Sequence, residues 1–315
     1  MIVDNHVHLI FPGSDPEEFL RGCIRTGAAI FTRESGPSGD PDALYENSMA
    51  VLSDREGDKL VARMDEAGID RAILLPLDLG LGCSEPDVGA PDYLTAAEKN
   101  ELHFQVTQKH RGRLFTYLGV DPRRPGGAAL FRQGLAKWHV LGLKLHPAAG
   151  FYPHDPLCNP LYEIAREAGV PVLFHSGTEP APLKSLYSQP CYIDAVAAEY
   201  PDLKIIIAHC GHGWWREALD MALSKPNLYV DFSGWQLEYS GNPDYLYEAL
   251  RMAIDLLGPW RVLFGTDGSL TDIIVPPRDW VRAWREPQSP SGISFSEEEL
   301  AIVMGAAAAR LHGWD

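Results

Sequence analysis

Eight short apolar runs, each followed by a turn and most then by a helix-like stretch, predict an α/β fold: a single (β/α)8 TIM barrel spanning residues 1–315. Two further observations point the same way. The runs are nearly continuous in Val, Ile, Leu and Phe, as parallel strands covered on both faces require. Polar, metal-capable side chains fall where several of these runs end, and barrel active sites lie at the C-terminal ends of the strands. The chain has 315 residues, 45% of them apolar, which is room enough for a barrel of about 250 residues with insertions. An open doubly wound sheet would rarely need eight parallel strands with polar residues at most of their ends.

The runs cover residues 2–9, 71–77, 114–121, 140–147, 171–177, 204–211, 228–234 and 261–269. Helices are expected between them. Residues 58–67 place Leu60, Val61 and Met64 at helical spacing and stop at Gly68; residues 160–168 stop at Gly169, and 193–199 end before Pro201. Residues 215–223 and 245–257 follow the sixth and seventh strands. After the eighth strand comes 296–311, where Ser296 and Glu299 have the spacing of a capping box. Three stretches exceed ordinary βα loops, 10–57, 78–94 and 270–294, after strands 1, 2 and 8. Rich in Gly, Pro, Ser and Asp, they read as long loop insertions that form lids and specificity walls.

Acidic residues number 43 against 27 basic ones, a net charge of −16. Such a surface repels phosphate backbones and anionic lipid, so neither nucleic acid nor membrane is expected as a partner. A small-molecule substrate is, anionic ones included, because a bound metal reverses the local potential. Five cysteines, none in a CxxC pair, read as reduced thiols. The first residues, MIVDNHVHLI, carry no basic, apolar leader, and no window reaches the length of a membrane span. A cytoplasmic location follows as an expectation; a homodimer is a further one, without an identified interface.

The chemistry concentrates at strand ends. His6 and His8 are two apart on strand 1, so both imidazoles aim into the barrel mouth while Val7 faces the helices. An isolated HxH is weak evidence; three later strand ends strengthen it. His175 closes PVLFH, Asp267 lies in VLFGTDGS, and His209 closes the apolar part of IIIAHCGHG. Three protein ligands plus water or a fourth group is the pattern of catalytic zinc. Lys144 and His146 share a face at the end of strand 4, available for substrate or a second metal. Glu179 and Asp231 are weaker candidates for orienting a ligand histidine, Asp4 for holding an imidazole or a backbone group, and Trp214, Trp215 and Trp235 for a pocket wall. His212 is read as structural or peripheral.

Taken in order, DNHVHL, GLKLHP, VLFHSG, IIIAHCG and VLFGTDGS closely resemble the amidohydrolase superfamily, and within it the second amidohydrolase branch, which mixes hydrolases with non-oxidative decarboxylases and hydratases. The resemblance runs from Ile2 to the closing AARLHGW. It implies a metal site of His6, His8, His175 and Asp267, with His209 touching substrate or water. Where the last helix of the family commonly opens with Asn, this chain has Ala307. In the binuclear branch a carboxylated lysine on strand 4 bridges two metals, with the histidines of strands 5 and 6 on the second ion. One ion is therefore expected here, two if Lys144 is carboxylated; zinc is expected, manganese the alternative.

The resulting expectation is a hydrolase of an amide, ester or lactone, with a metal-activated water and Asp267 and His209 as catalytic residues. The alternative is a non-oxidative decarboxylase of a small carboxylic acid, aromatic ones included. A barrel whose metal is merely structural ranks last.

Overall fold

A computed structural model describes residues 1–32, 36, 39–83 and 93–314. Eight parallel strands close into a barrel: β1 Val3–Val7, β2 Arg71–Leu74, β3 in two pieces, Leu114–Thr116 and Leu118–Gly119, β4 Leu143–Leu145, β5 Val172–Phe174, β6 Ile205–Ile207, β7 Leu228–Asp231 and β8 Val262–Leu263. Each pairs in parallel with its sequence neighbours. The ring closes between β8 and β1, where Asn5 N donates to Phe264 O at 3.0 Å and Asp267 N to His6 O at 2.8 Å. The ladders are shorter than the apolar runs because each chain leaves the sheet before the run ends. That early departure releases residues 146, 175, 209 and 267 into the loops above the barrel mouth.

The two-residue period sorts the strand side chains. Val3, Ile73, Tyr117, Leu173, Ile206 and Leu263 form an inner cluster continuous with Ile302, Ala307 and Leu311 of the last helix. Val172, Phe174, Ile205, Ile207 and Val230, facing the other way, pack under the outer helices. Lys144, between Leu143 and Leu145, shares the inward parity, which is why a lysine can be buried in the barrel at all.

The outer layer contains α3 Asp58–Ala67, framed by Gly57 and Gly68 at φ +75° and +72°, with α6 Asn159–Ala168, α7 Cys191–Glu199, α8 Trp215–Ser224 and α10 Pro243–Leu257 close to expectation. The Ser296–Glu299 capping box is present and opens α12 Glu297–Ala301, which runs through a π-turn into Ala307–His312.

The structure corrects the reading of the insertions as plain loops. Stretch 10–57 folds into α1 Glu17–Phe31 and α2 Pro41–Leu52, and 270–294 contains α11 Pro277–Arg285. Residues 84–92 of stretch 78–94, and 33–35, 37 and 38 of the first, lie outside the described residues. Also unforeseen are α4 Ala96–Lys109, opened by a Thr95–Glu98 capping box, α5 Gly127–Gln133 and the short α9 Gln236–Gly241. Among the described residues no helix is long and apolar enough to cross a membrane.

Candidate metal centre

His6 and His8 emerge from β1 on one side, their rings 5.1 Å apart and nearly perpendicular. Each has one nitrogen already committed. His6 Nδ1 donates to Asp231 Oδ2 at 3.0 Å, and His8 Nδ1 donates to Leu75 O at 2.7 Å. Both Nε2 lone pairs therefore point to the mouth, where they lie 3.4 and 3.3 Å from Asp267 Oδ1. Asp267 holds this place with a left-handed φ of +60°, a strained conformation for a residue with a Cβ. Asp4 fixes the turn before it, accepting from Thr266 N at 2.9 Å and Thr266 Oγ1 at 2.6 Å, and also from His6 N at 3.2 Å. Of the two roles foreseen for Asp4, the structure gives it the backbone one. The strands need a glycine here: a Cβ on Gly265 would fall 2.9 Å from Ser233 Cβ and 3.0 Å from His6 Cβ.

The electrostatics prepare ligands in their donor states. Burial, helped by the Lys144 ammonium, lowers His6 to about 4. Burial works against the Asp267 carboxylate, yet His209, His8 and His6 more than offset it and hold its pKa well below the ordinary value. Two imidazoles, His6 held neutral by burial, and one carboxylate are a suitable donor set for a divalent transition ion. The nitrogen behind each ligand is oriented by an acceptor, the arrangement that fixes metal-binding histidines.

His175, the fourth expected ligand, falls somewhat apart. His6, His8 and Asp267 form one close group of donor atoms, whereas His175 groups with His146 and Glu179. The His146 and His175 rings stack 4.2 Å apart, and their Nε2 atoms lie 2.9 and 3.1 Å from Glu179 Oε1. His175 Nε2 is nevertheless buried without a partner in hydrogen-bond geometry. A buried nitrogen without a hydrogen-bond partner, in a cavity that His8 and Asp267 also line, fits an ion that completes it. Burial raises Glu179 to about 7 and drives His146 and His175 well below their ordinary values.

Lys144 Nζ sits 3.3 Å from His6 Nε2, and burial pushes it down to about 8 against the pull of Asp231, Asp267 and Glu179. His209 is lowered to about 3, first by burial; its Nδ1 donates to Ser233 O at 3.0 Å, leaving Nε2 free. Asp231 orients His6, one of the expected ligands, through the Nδ1 contact above. Ser233, not anticipated, donates its hydroxyl to Asp231 Oδ1 and lies 3.0 Å from His6 Nδ1. His212 is not peripheral: its ring stacks on His209 at 4.9 Å, which agrees with the structural half of its reading, and it lines the cavity. The tryptophan wall is also corrected. Trp215 and Trp235 belong to the core, and neither they nor Trp214 line the cavity.

Above these residues opens a cavity of about 330 Å³. His8, Lys144, His146, His175, Glu179, His209, His212 and Asp267 form its polar end. Its other walls are mostly apolar, from Phe19, Leu20, Ile24 and Phe31 of α1, Leu44 and Leu52 of α2, Leu77, and Leu270, Ile273 and Ile274 after β8.

A family model described as amidohydrolase matches residues 3–314. Protein fluG of Emericella nidulans is 26% identical over 98 residues, which is 31% of this chain and 11% of that protein, so the match spans about a tenth of its length. The 5-carboxyvanillate decarboxylase of Novosphingobium aromaticivorans, solved with manganese and 4-hydroxy-3-methoxy-5-nitrobenzoic acid, is 19% identical at a TM-score of 0.68, covering 99% of this chain and 96% of that one. The dihydroxybenzoic acid decarboxylase of Polaromonas, with manganese and 2-nitroresorcinol, is 19% identical at 0.65, covering 99% and 96%. A probable 2-pyrone-4,6-dicarboxylic acid hydrolase of Acinetobacter baumannii is 13% identical at 0.64, covering 99% of each chain. Likenesses at this identity carry the barrel fold.

Proposed function

The chain belongs to the amidohydrolase family, and on that premise we propose that it is a metal-dependent lyase that removes CO2 from a small carboxylic acid, aromatic or otherwise apolar in body. The observation that carries the reading is the joining of two opposites in one cavity: a compact His/Asp donor group at one end and mostly apolar walls elsewhere. Decarboxylases of the same fold, solved with manganese and aromatic ligands, support it.

One zinc or manganese ion on His6, His8, His175 and Asp267 would supply Lewis acidity to the substrate carboxylate and an adjacent oxygen. The apolar walls exclude water and penalise a carboxylate anion more than the neutral CO2 it becomes. Lys144, beside His6, holds a substrate oxygen. Asp267, ionised at rest, relays a proton taken from solvent water to the carbon that loses its carboxyl group: the carbon–carbon bond breaks, its electron pair stays on that carbon and takes the proton to form a C–H bond, and CO2 leaves, the hydroxide left by the water going with it as bicarbonate. His209, kept neutral, faces the same point and orients the substrate.

Hydrolysis of an amide, ester or lactone is the second reading. The position of Asp267 against both Nε2 atoms favours it, since a carboxylate there can also take the proton of an attacking water, with Lys144 or His209 toward the oxyanion.

The test is a screen of apolar and phenolic acids, esters and lactones in D2O with metal-loaded protein. The proposal expects one CO2 released and one deuterium on the product carbon per turnover. Titratable acid released from esters or lactones, without CO2 from any acid, would overturn it in favour of hydrolysis.

A further inference from the structure

The pocket also restricts the body of the substrate. Its chemistry is divided sharply along its length. Among the described residues that line it, Lys144 is the one lysine or arginine, and it stands at the metal end with the histidines. Asp15, on the wall, is already paired with Lys99 Nζ at 3.1 Å. A second acid group carried into the far half would meet no cation among the described residues there, and an unpaired buried charge is strongly disfavoured. The apolar character continues to the opening, where Phe31, Leu44 and Ile273 line the cavity while remaining 59%, 39% and 52% exposed.

Size points the same way. About 330 Å³ is roughly twice the ~150 Å³ of an apolar protein cavity that accepts one benzene. The space exists because α1 is thin where it faces the pocket. Gly27 lines the cavity, and a Cβ added there would meet nothing within 4 Å. On another side of the helix Gly22 is seated against backbone, where a Cβ would fall 2.1 Å from Ala181 O. The helix is thus held close to the barrel by one glycine while another leaves room in front of it.

We propose that the substrate carries a single acidic head for the metal end and an uncharged hydrocarbon body larger than one benzene ring, packed against α1 beside Gly27. This rests on the metal-dependent reading above, and the experiment separates the two. Calorimetry on the zinc-loaded full-length protein would follow acetohydroxamate, butyrohydroxamate, hexanohydroxamate and octanohydroxamate, whose shared head binds metal while the tail grows. The expected result is affinity rising about fourfold per added methylene. The monohydroxamate of octanedioic acid, ending in a carboxylate, is expected to lose at least about tenfold against octanohydroxamate. In Gly27→Phe the gain beyond butyrohydroxamate is expected to vanish while acetohydroxamate binding stays within about twofold. Gly27→Phe also relieves a helical glycine, so stability should not fall on that account. A flat series, or equal binding of the acid-ended ligand, with acetohydroxamate still bound, would overturn the inference and leave the metal centre standing. Failure of every hydroxamate to bind would overturn the metal reading and this inference with it.

Discussion

Asp267 lies within 3.4 Å of two imidazoles whose other nitrogens are already engaged, so its carboxylate and their two lone pairs converge on one point. Asp267→Asn removes the ionised oxygen at small cost to packing. Turnover should fall about 10²- to 10⁴-fold with the thermal midpoint of the metal-free protein nearly unchanged, as steady-state assays and calorimetric melting would show. Asp231 acts through His6 rather than on substrate. Asp231→Asn should weaken metal binding about 10- to 100-fold, read by competition with a chromogenic chelator; unaltered affinity would contradict its role. The sequence makes the residues of the candidate site legible because alternating strands and helices put each strand end at one mouth, so His6, His8, Lys144, His175, His209 and Asp267 could be named from position. It does not disclose Ser233, which looks like any turn serine, nor the inward turn of His212. That turn depends on positive φ at His209, Cys210, Gly211 and His212, a conformation that only Gly211 advertises.

The helices tell a similar story at their own scale. In α1, Phe19, Leu20, Cys23, Ile24, Ala28 and Phe31 keep helical spacing, a signal outweighed by the Gly-, Pro- and Ser-rich composition of the surrounding stretch, and Cys23, Gly27 and Ala28 face a cavity instead of a core. α3 and α10 bury a continuous stripe, and their limits come close to expectation. Because Gly22 seats α1 against the 180–181 turn, Gly22→Ala should cost about 1–3 kcal/mol and raise KM more than it lowers kcat as the pocket wall shifts. Melting and steady-state kinetics check both effects. α4 carries a different liability. His103 is buried with Nδ1 donating to Lys99 O at 2.8 Å, and burial lowers it from 6.5 to about 4. The unfolded chain binds that proton more readily, so stability is intact above pH 6.5 and falls as pH drops toward 4. At about 1.4 kcal/mol per pH unit the loss is about 3 kcal/mol. Asp4 and Glu179, both raised to about 7 by burial, act in the opposite sense as pH rises from about 4 to 7. His103→Gln isolates the histidine: its urea midpoint should decline less than that of the parent between pH 6.5 and 4.5.

For the whole molecule, the barrel gathers residues from strands spread across the chain, from position 6 to position 267, so an ion bound there ties the first strand to the last. That linkage gives the metal a thermodynamic signature. At about a thousand times its dissociation constant an ion stabilises the fold by about 4 kcal/mol, and stripping it should lower the melting temperature by roughly 8 °C. The −16 net charge places few demands on this arrangement, because the donor group is screened inside the mouth and its neutral histidines are set by burial. The most direct measurement is metal content per chain, by elemental analysis, of protein purified without added metal, beside its His6→Ala/His8→Ala variant. The account predicts about one equivalent of zinc or manganese in the parent and less than about a tenth of that in the variant. A parent with no stoichiometric metal, or a variant that keeps its full complement, would contradict it.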